Sequence, residues 1–192
     1  DPGGQASQIL QIVEQERLTL RRIINTHAHF DHVSGVNDVK EVAGVPFYLH
    51  RADLPILDSY SRQLAYFGLT GGKQPTVDEY LEEGQGVEIG ELVLRVLFTP
   101  GHSPGHVTFV YETPSTDLST RSGQSSGPRV AFSGDVLFQG SIGRFDLPGG
   151  DYQQLMRSIR EVLLPLGDDT VIYPGHGPAT TIGQEKQWNP FL

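Results

Sequence analysis

Cysteine is absent from this chain of 192 residues, and basic residues and long apolar runs are scarce. Without cysteine there is no disulfide, no thiolate metal ligand and no cysteine nucleophile. The 14 Lys and Arg face 23 Asp and Glu, a formal net charge of −9, which argues against partners such as nucleic acid or an anionic membrane surface. No apolar run approaches the roughly 20 residues of a spanning helix. We therefore predict a soluble protein, located in the cytoplasm.

The rest of the composition, 37% hydrophobic and 19% charged, is typical of a folded chain with a real core. This length predicts a single domain over residues 1–192. Because the only methionine is Met156, we expect the natural chain to start upstream of Asp1. Residues 113–129, rich in Ser, Thr, Gly and Pro, indicate a flexible insertion loop between two strands. A tolerated surface insertion is the favoured interpretation of this loop, and a binding lid is the alternative.

Hydrophobic periodicity suggests alternating helices and strands in the first half and clustered strands in the second. Pro55 is expected in a first helical turn or at a kink, and Asp151 is expected to cap a helix. This order predicts a layered α/β protein with a mixed sheet or two sheets. The predicted helices are 9–18, 35–43, 51–67 and 151–163, and the predicted strands are 20–26, 45–49, 87–89, 92–98, 107–111, 130–132 and 171–173.

The densest chemical signal is the motif HAHFDH at residues 27–32. Residues two apart at a strand end face the same side, so His27 and His29 can bind one metal ion together. Asp31 and His32 follow where the chain turns towards a helix, and they can point into the same cavity. If these four side chains were buried without a ligand, several polar groups would stay unsatisfied.

Three later segments repeat one pattern, in which a strand ends, a glycine follows and a ligand-type residue comes next: Gly101-His102, Gly134-Asp135 and Gly175-His176. Glycine allows a close approach of the backbone to a metal. Together with the first motif they supply five histidines and two aspartates, enough for two divalent metal ions that share Asp135 and a hydroxide. Zinc, iron and manganese all accept such ligands. The set predicts metal-assisted hydrolysis.

Three further residues are considered for roles around this site. His106 is expected to orient the site through an outer hydrogen bond, and His50 is interpreted as an ordinary half-buried histidine. Arg144 lies in a Gly-bounded loop after the Asp135 strand, where its guanidinium could bind a substrate carboxylate. A structural pair with Asp146 is the equal alternative.

The HAHFDH motif, followed in order by His102, Asp135 and His176, resembles the metallo-β-lactamase superfamily over nearly the whole chain. Within it, GHSPGH at 101–106, GRFD at 143–146 and the PGHGP tail resemble the glyoxalase II-like hydrolases. The short branch without a C-terminal helical domain is the most similar. Because that family opens with a β-hairpin before the Asp-Pro-Gly segment, an N-terminal hairpin is expected to be missing from this sequence.

This resemblance implies an αββα sandwich, with two mixed sheets flanked by helices and the metals at one edge. It implies two divalent ions, zinc in the first place, with iron or manganese as alternatives. The implied ligands are His27, His29 and His102 for the first ion and Asp31, His32 and His176 for the second, with Asp135 bridging.

The resemblance also implies hydrolysis of a small anionic thioester such as S-D-lactoylglutathione, to D-lactate and glutathione. A thiolate leaves easily, so no strong general acid is needed, and the catalytic residue Asp31 can hold the hydroxide and accept its proton. Gly177-Pro178 stand where full-length glyoxalases II carry a bulky aromatic pair, which leaves open whether glutathione is the thiol. The oligomeric state is not predicted.

Three other functions compete with this one. A persulfide dioxygenase would hold a single iron on His27, His102 and Asp135, and it shares the Arg144 stretch, but Gly177-Pro178 favour the hydrolase. A metallo-hydrolase of another ester, lactone, β-lactam or phosphodiester is the second, although a nuclease would need a basic clamp. A binding module with a silent site would need a broken ligand set, whereas all seven positions are filled.

Overall fold

The computed structural model describes residues 1–112 and 129–192. The predicted loop 113–129 therefore lies outside the described residues, apart from Arg129, which begins a strand. The helices are α1 (Ala6–Gln15), α2 (Phe30–Val33), α3 (Val36–Ala43), α4 (Leu54–Asp58), α5 (Tyr60–Tyr66), α6 (Tyr152–Arg157) and α7 (Ile182–Trp188). The strands are β1 (Ile23–Ile24), β2 (Phe47–His50), β3 (Glu79–Leu81), β4 (Gly86–Ile89), β5 (Leu92–Phe98), β6 (Val107–Glu112), β7 (Arg129–Gly134), β8 (Leu137–Phe138), β9 (Ser141–Ile142), β10 (Val171–Pro174) and β11 (Thr180–Thr181).

Two main sheets form the centre of the fold. The larger has the order β11-β10-β7-β6-β5-β4, and only the β10–β7 pair in it is parallel. The smaller has the order β1-β2-β3 and is parallel throughout. The expectation of two mixed sheets is therefore wrong for the smaller sheet. Its strands are linked by helices α2 to α5, and such crossovers return the chain to the same end of the sheet.

Alternating side chains of the larger sheet create two separate cores. Leu94 and Val96 of β5 pack in one cluster with Leu81 of β3, which joins the two sheets face to face. Leu97 points to the opposite face and packs in a second cluster with α6. A third cluster buries the smaller sheet against helices α3 to α5. The layers are thus helices, sheet, sheet and helices, and the predicted αββα sandwich is confirmed.

Local signals predict some boundaries well and others less well. Asp151 caps α6 by accepting a hydrogen bond from the backbone N–H of Gln154 at 2.9 Å, as predicted. Pro55 lies in the first turn of α4. The helix predicted over 51–67 is broken instead, because the chain forms a 3₁₀ turn at Arg51–Asp53 and then two short helices that meet at Ser59.

The strand predicted over 20–26 shortens to Ile23–Ile24. Thr26 does not extend the strand, because its backbone groups bond outside the smaller sheet. The N–H of Thr26 donates to the Asp1 carboxylate at 2.6 Å, and the carbonyl of Thr26 accepts from the N–H of Val107 at 2.8 Å. In the two described ranges, no helix has both the length and the apolar character that a membrane crossing requires.

Candidate metal centre

The ends of four strands lead into one edge of the sandwich. His27 follows β1 of the smaller sheet, whereas His102, Asp135 and His176 follow β5, β7 and β10 of the larger sheet. Three strands of the larger sheet, β5, β7 and β10, therefore each present a polar side chain within four residues of the strand end. This is the placement that the three glycine-containing segments predict.

Helix α2 supplies the other side chains. His29 precedes its first residue, and Asp31 and His32 lie within it. The short helix is held in place by outside contacts, because the side chain of Asn25 donates to the His32 carbonyl at 2.7 Å and the Phe30 N–H donates to Gln63 at 2.9 Å. A four-residue helix needs such tertiary support, since isolated short helices are unstable.

Three histidines form the buried part of the cluster. Nitrogen atoms of His27, His29 and His102 all lie within 4.8 Å of one another. His29 Nδ1 approaches His102 Nε2 to 2.8 Å. His27 is completely buried, and its Nε2 has no hydrogen-bond partner within the described residues. These nitrogens therefore face a common space that a cation would fill.

Asp31, His32 and His176 form a second, more exposed group of possible metal ligands. The Nε2 atom of His176 lies 3.2 Å from His32 Nε2 and 3.1 Å from Asp31 Oδ2. The side chain of His176 is 55% exposed and that of Asp31 38% exposed, in contrast to 4% for His32. This group opens towards solvent.

Asp135 lies between the two groups. Its Oδ2 is 3.7 Å from His102 Nε2 and 3.6 Å from His176 Nε2, and its Oδ1 is 3.5 Å from His32 Nε2. Oδ1 is buried and makes no hydrogen bond in the part of the chain that the structure describes. A buried carboxylate oxygen and a buried imidazole nitrogen, both without a hydrogen-bond partner among the described residues, fit a site that would hold divalent cations.

The buried histidines are held in the neutral form. Burial lowers the pKa of His29 to about 3, and the neighbouring imidazoles His102 and His32 act in the same direction. Burial also lowers the pKa of His27 and of His106 well below the usual value, and it lowers that of His102. A neutral imidazole keeps one nitrogen lone pair, which is the form that binds a metal.

Outer hydrogen bonds orient two members of the cluster. His102 Nδ1 donates to the carbonyl oxygen of Arg144 at 2.8 Å, so the lone pair of the neutral ring is on Nε2, which faces the cluster. His106 Nε2 accepts from the N–H of Asp135 at 3.1 Å, and its Nδ1 lies 3.1 Å from Thr99 Oγ1. His106 thus positions Asp135 from outside the cluster, which agrees with its predicted orienting role.

Asp1 contacts the cluster although sequence analysis gave it no role. Its Oδ2 accepts from Thr26 Oγ1 at 2.5 Å and lies 3.0 Å from His32 Nδ1. A carboxylate on Nδ1 leaves the Nε2 of His32 facing the cluster. No spacing rule in the sequence reveals the contact between Asp1 and His32, because these residues are 31 positions apart.

Asp53 is a second residue that sequence analysis missed. It is completely buried, and it accepts from the N–H of Ala28 at 2.6 Å and from that of Gly105 at 2.7 Å. Burial raises the pKa of its carboxyl to about 6, although the Ser103 hydroxyl and these two N–H groups act in the opposite direction. Asp53 therefore ties the loop of His27 to the loop of residues 101–106.

Two glycines are required by close contacts in the cluster. A Cβ atom on Gly175 would lie 2.3 Å from Asp135 Oδ1 and 2.7 Å from His32 Cε1. Gly134 has a φ of +48° and a Cβ there would lie 2.4 Å from Thr26 Oγ1. A side chain at Gly175 would therefore displace a donor atom of the cluster, and one at Gly134 would displace Thr26 and His106, which support it.

The remaining candidate residues lie outside the cluster. His50 stacks on Phe98 with ring centroids 4.6 Å apart and accepts from the Ala52 N–H at 3.3 Å, so it behaves as a structural residue. Arg144 makes a two-pronged pair with Asp146 at 2.9 and 3.0 Å. Its role in substrate binding stays a prediction.

Two adjoining cavities open beside the cluster, each of about 560 Å³. We call the one that reaches Asp135 and His176 the metal-side cavity, and the one along helix α5 the α5 cavity. They share His29 and Arg144 among their lining residues. A separate cavity of about 710 Å³ lies against α1 and contains none of the cluster residues, so it has no link to this chemistry.

Comparison with known proteins identifies relatives over the full length of the chain. The family described as the metallo-beta-lactamase superfamily matches residues 1–119 and 122–176. Hydroxyacylglutathione hydrolase GloC of Haemophilus influenzae is 40% identical, over 100% of this chain and 85% of the relative.

Solved structures show the same relationship. TTHA1623 in a di-iron-bound form has a TM-score of 0.82 at 40% identity, over 100% of this chain and 87% of the other. The B3 metallo-β-lactamase BLEG-1 has a TM-score of 0.83 at 40% identity, over 100% and 86%. ETHE1 from Myxococcus xanthus has a TM-score of 0.72 at 27% identity, over 97% and 68%. The chain therefore belongs to the metallo-β-lactamase superfamily, as a metallo-hydrolase of that superfamily.

Proposed function

We propose that this protein hydrolyses a small anionic thioester, with S-D-lactoylglutathione as the first candidate and D-lactate and glutathione as products. The observation that carries the proposal is the complete donor set, in which two groups of three side chains flank the carboxylate of Asp135. The relative named hydroxyacylglutathione hydrolase supports this choice of thioester.

Two divalent ions would be held by the two groups, and Asp135 would contact both. Zinc is the first choice, and iron and manganese are the alternatives, of which iron is supported by the di-iron-bound form of TTHA1623. When bound, the ions supply hydroxide at neutral pH and positive charge for the oxyanion of the reaction. The first ion would be held by His27, His29 and His102, and the second by Asp31, His32 and His176.

Asp31 is proposed as the residue that accepts the proton. Its Oδ2 faces His176 at 3.1 Å, whereas its other oxygen makes no hydrogen bond within residues 1–112 and 129–192. That free oxygen can take a proton from water and hold the nucleophile in position. Because a thiolate is a good leaving group, no residue is required to protonate it.

The exposed group favours hydrolysis over the competing dioxygenase. A single iron on His27, His102 and Asp135 would leave Asp31, His32 and His176 without a function. These three side chains nevertheless meet within hydrogen-bond distance on the open side of Asp135. The similarity to BLEG-1 adds a β-lactam to the substrates worth testing, beside other esters and lactones.

The test is hydrolysis of S-D-lactoylglutathione, followed as loss of thioester absorbance with protein reconstituted separately with zinc, iron or manganese. We expect kcat/KM of about 10⁴ M⁻¹s⁻¹ or more with at least one metal, and no turnover after chelation. Absent turnover with two ions bound per chain would contradict the proposal. Lactone and β-lactam hydrolysis and thiol-dependent oxygen uptake, measured on the same preparations, then identify the alternative.

A further inference from the structure

The α5 cavity extends away from the metal centre and is mainly apolar. It begins at His29 and Phe30, and Ile56, Leu147 and Pro148 form part of its walls. Because it adjoins the space next to His29, one substrate molecule can reach the metal centre and fill this cavity at the same time.

An aromatic surface lines the cavity along α5. The Phe67 ring lies 4.9 Å from that of Phe30 and 5.1 Å from that of Tyr66, measured between centroids. Phe67 is 48% exposed and Tyr66 75% exposed. Arg62 is four residues before Tyr66 on the same helix, so both occupy the same face. The surface thus leads from the metal centre to a guanidinium.

Most polar groups that line this cavity already have partners. The Gln63 amide accepts from Phe30 N–H and donates to the Ile56 carbonyl and to Ser59 Oγ. The Arg144 guanidinium is neutralised by Asp146. Among the described residues, the side chain of Arg62 makes no hydrogen bond, ion pair or ring contact, and only its backbone N–H is bonded, to the Ser59 carbonyl at 2.8 Å. It is therefore the uncompensated cation of the cavity.

We propose that the α5 cavity binds the part of the substrate remote from the reacting carbonyl, and that Arg62 pairs there with a carboxylate. The substrate class is then a thioester whose thiol or acyl part ends in a carboxylate beyond a less polar segment. A guanidinium suits this task because it can hold both oxygens of a carboxylate at once. That the bound molecule is a thioester rests on the proposed function. That Arg62 binds a carboxylate does not depend on it.

The kinetic test compares two thioesters with the same lactoyl group. S-D-lactoylglutathione carries carboxylates, and S-D-lactoyl-N-acetylcysteamine carries none. For Arg62→Glu we expect KM for the first to rise about tenfold, with kcat within about twofold and kcat/KM for the second unchanged. Arg62→Lys should retain part of the affinity. Arg160→Glu is the matched control, because it makes the same charge change at an exposed residue that lines neither cavity.

An equal loss on both thioesters, or no loss on either, would overturn the assignment of Arg62. Calorimetric binding of S-hexylglutathione, which cannot be hydrolysed, provides a readout that is independent of turnover. We expect its Kd to rise about tenfold in Arg62→Glu and to stay unchanged in Arg160→Glu. If wild type hydrolyses neither thioester, the proposed reaction fails, and this binding difference alone decides the carboxylate site. Equal binding by all variants refutes it.

Discussion

The two halves of the metal centre differ in how they are built. The buried half, His27, His29 and His102, is at most 7% exposed, and its members are held by contacts such as the His102 bond to the Arg144 carbonyl. The exposed half contains Asp31, His32 and His176, of which only His32 is buried. One half is thus a buried set of donors held by hydrogen bonds, and the other is open to solvent.

This difference predicts that the two halves bind their metal ions with different affinity. Neutral, preorganised imidazoles need little rearrangement to bind an ion, so the buried half is expected to hold its metal more tightly. The exposed half must exchange water and release product, so looser binding there is compatible with turnover. The predictions below test this contrast between the halves.

The largest effect is expected from loss of a donor in the buried half. His29→Ala should abolish hydrolysis, with kcat/KM lower by at least about 1,000-fold, since a bound metal contributes several kcal/mol to the transition state. The fold should remain intact, as judged by circular dichroism. A variant that keeps most of its activity would refute the proposed role of His29.

Acid should destabilise the metal-free protein through the buried half. Unfolded histidine titrates near 6.5, whereas the pKa of His29 in the fold is about 3. Between these values the unfolded chain binds more protons, so the free energy of unfolding falls as the pH drops from 6.5 towards 3. Each histidine with a lowered pKa contributes up to about 1.4 kcal/mol per pH unit to this fall in the free energy of unfolding.

Urea unfolding at several pH values measures this slope, which should be smaller in His29→Ala. Asp53 acts in the opposite sense. Its pKa is raised from 3.8 to about 6, so its stabilising contribution is full below pH 3.8 and is lost as the pH rises through 6. A pH-independent free energy of unfolding in wild type and variant would contradict the role of the buried histidines.

A smaller loss is expected in the exposed half. His176→Ala leaves the buried donors untouched, so about one metal ion should remain per chain and kcat/KM should fall roughly 10- to 100-fold. Metal analysis after dialysis against a limiting chelator measures this directly. If His176→Ala loses both ions, the contrast between the halves is wrong.

Asp53 should affect metal binding from outside the cluster. In Asp53→Asn an amide N–H₂ would face a backbone N–H, so one of the two loop contacts is lost at a cost of about 1–3 kcal/mol in stability, and metal affinity should fall about tenfold. Asp78→Asn is the control, because Asp78 also accepts a backbone N–H, from Phe47 at 2.7 Å, but its other partner is Lys40 and not a loop of the metal centre. Equal metal affinity in both variants would show that Asp53 is only structural.

The smallest effect concerns Arg144 at the mouth of the site. Because its guanidinium is exposed and already paired with Asp146, Arg144→Ala should raise KM for an anionic thioester by no more than a few-fold. Asp146→Ala frees the guanidinium. If Arg144 does bind the substrate carboxylate, this second variant should lower KM; a rise in KM in both variants would instead favour a structural pair.

Local sequence patterns predicted the strands whose side chains alternate between buried and exposed along the chain. The strands β4 to β7 match their predicted ranges within two residues at either end, since alternation of buried side chains is visible in the sequence. The short strands β3, β8, β9 and β11 were not predicted. Strands of two or three residues carry no periodic signal, and their pairing depends on which neighbours the fold provides.

The sequence by itself determined the chemistry that is available, because five histidines, two aspartates and their adjoining glycines can be recognised without knowing any contact. Only the tertiary structure decided which of these donors are buried, and it added Asp1 and Asp53 as supports. Asp53 meets Gly105 across 52 positions of sequence, and burial depends on the packing of two sheets. Exposure and long-range hydrogen bonds are properties of the packed layers, so no local pattern of residues contains them.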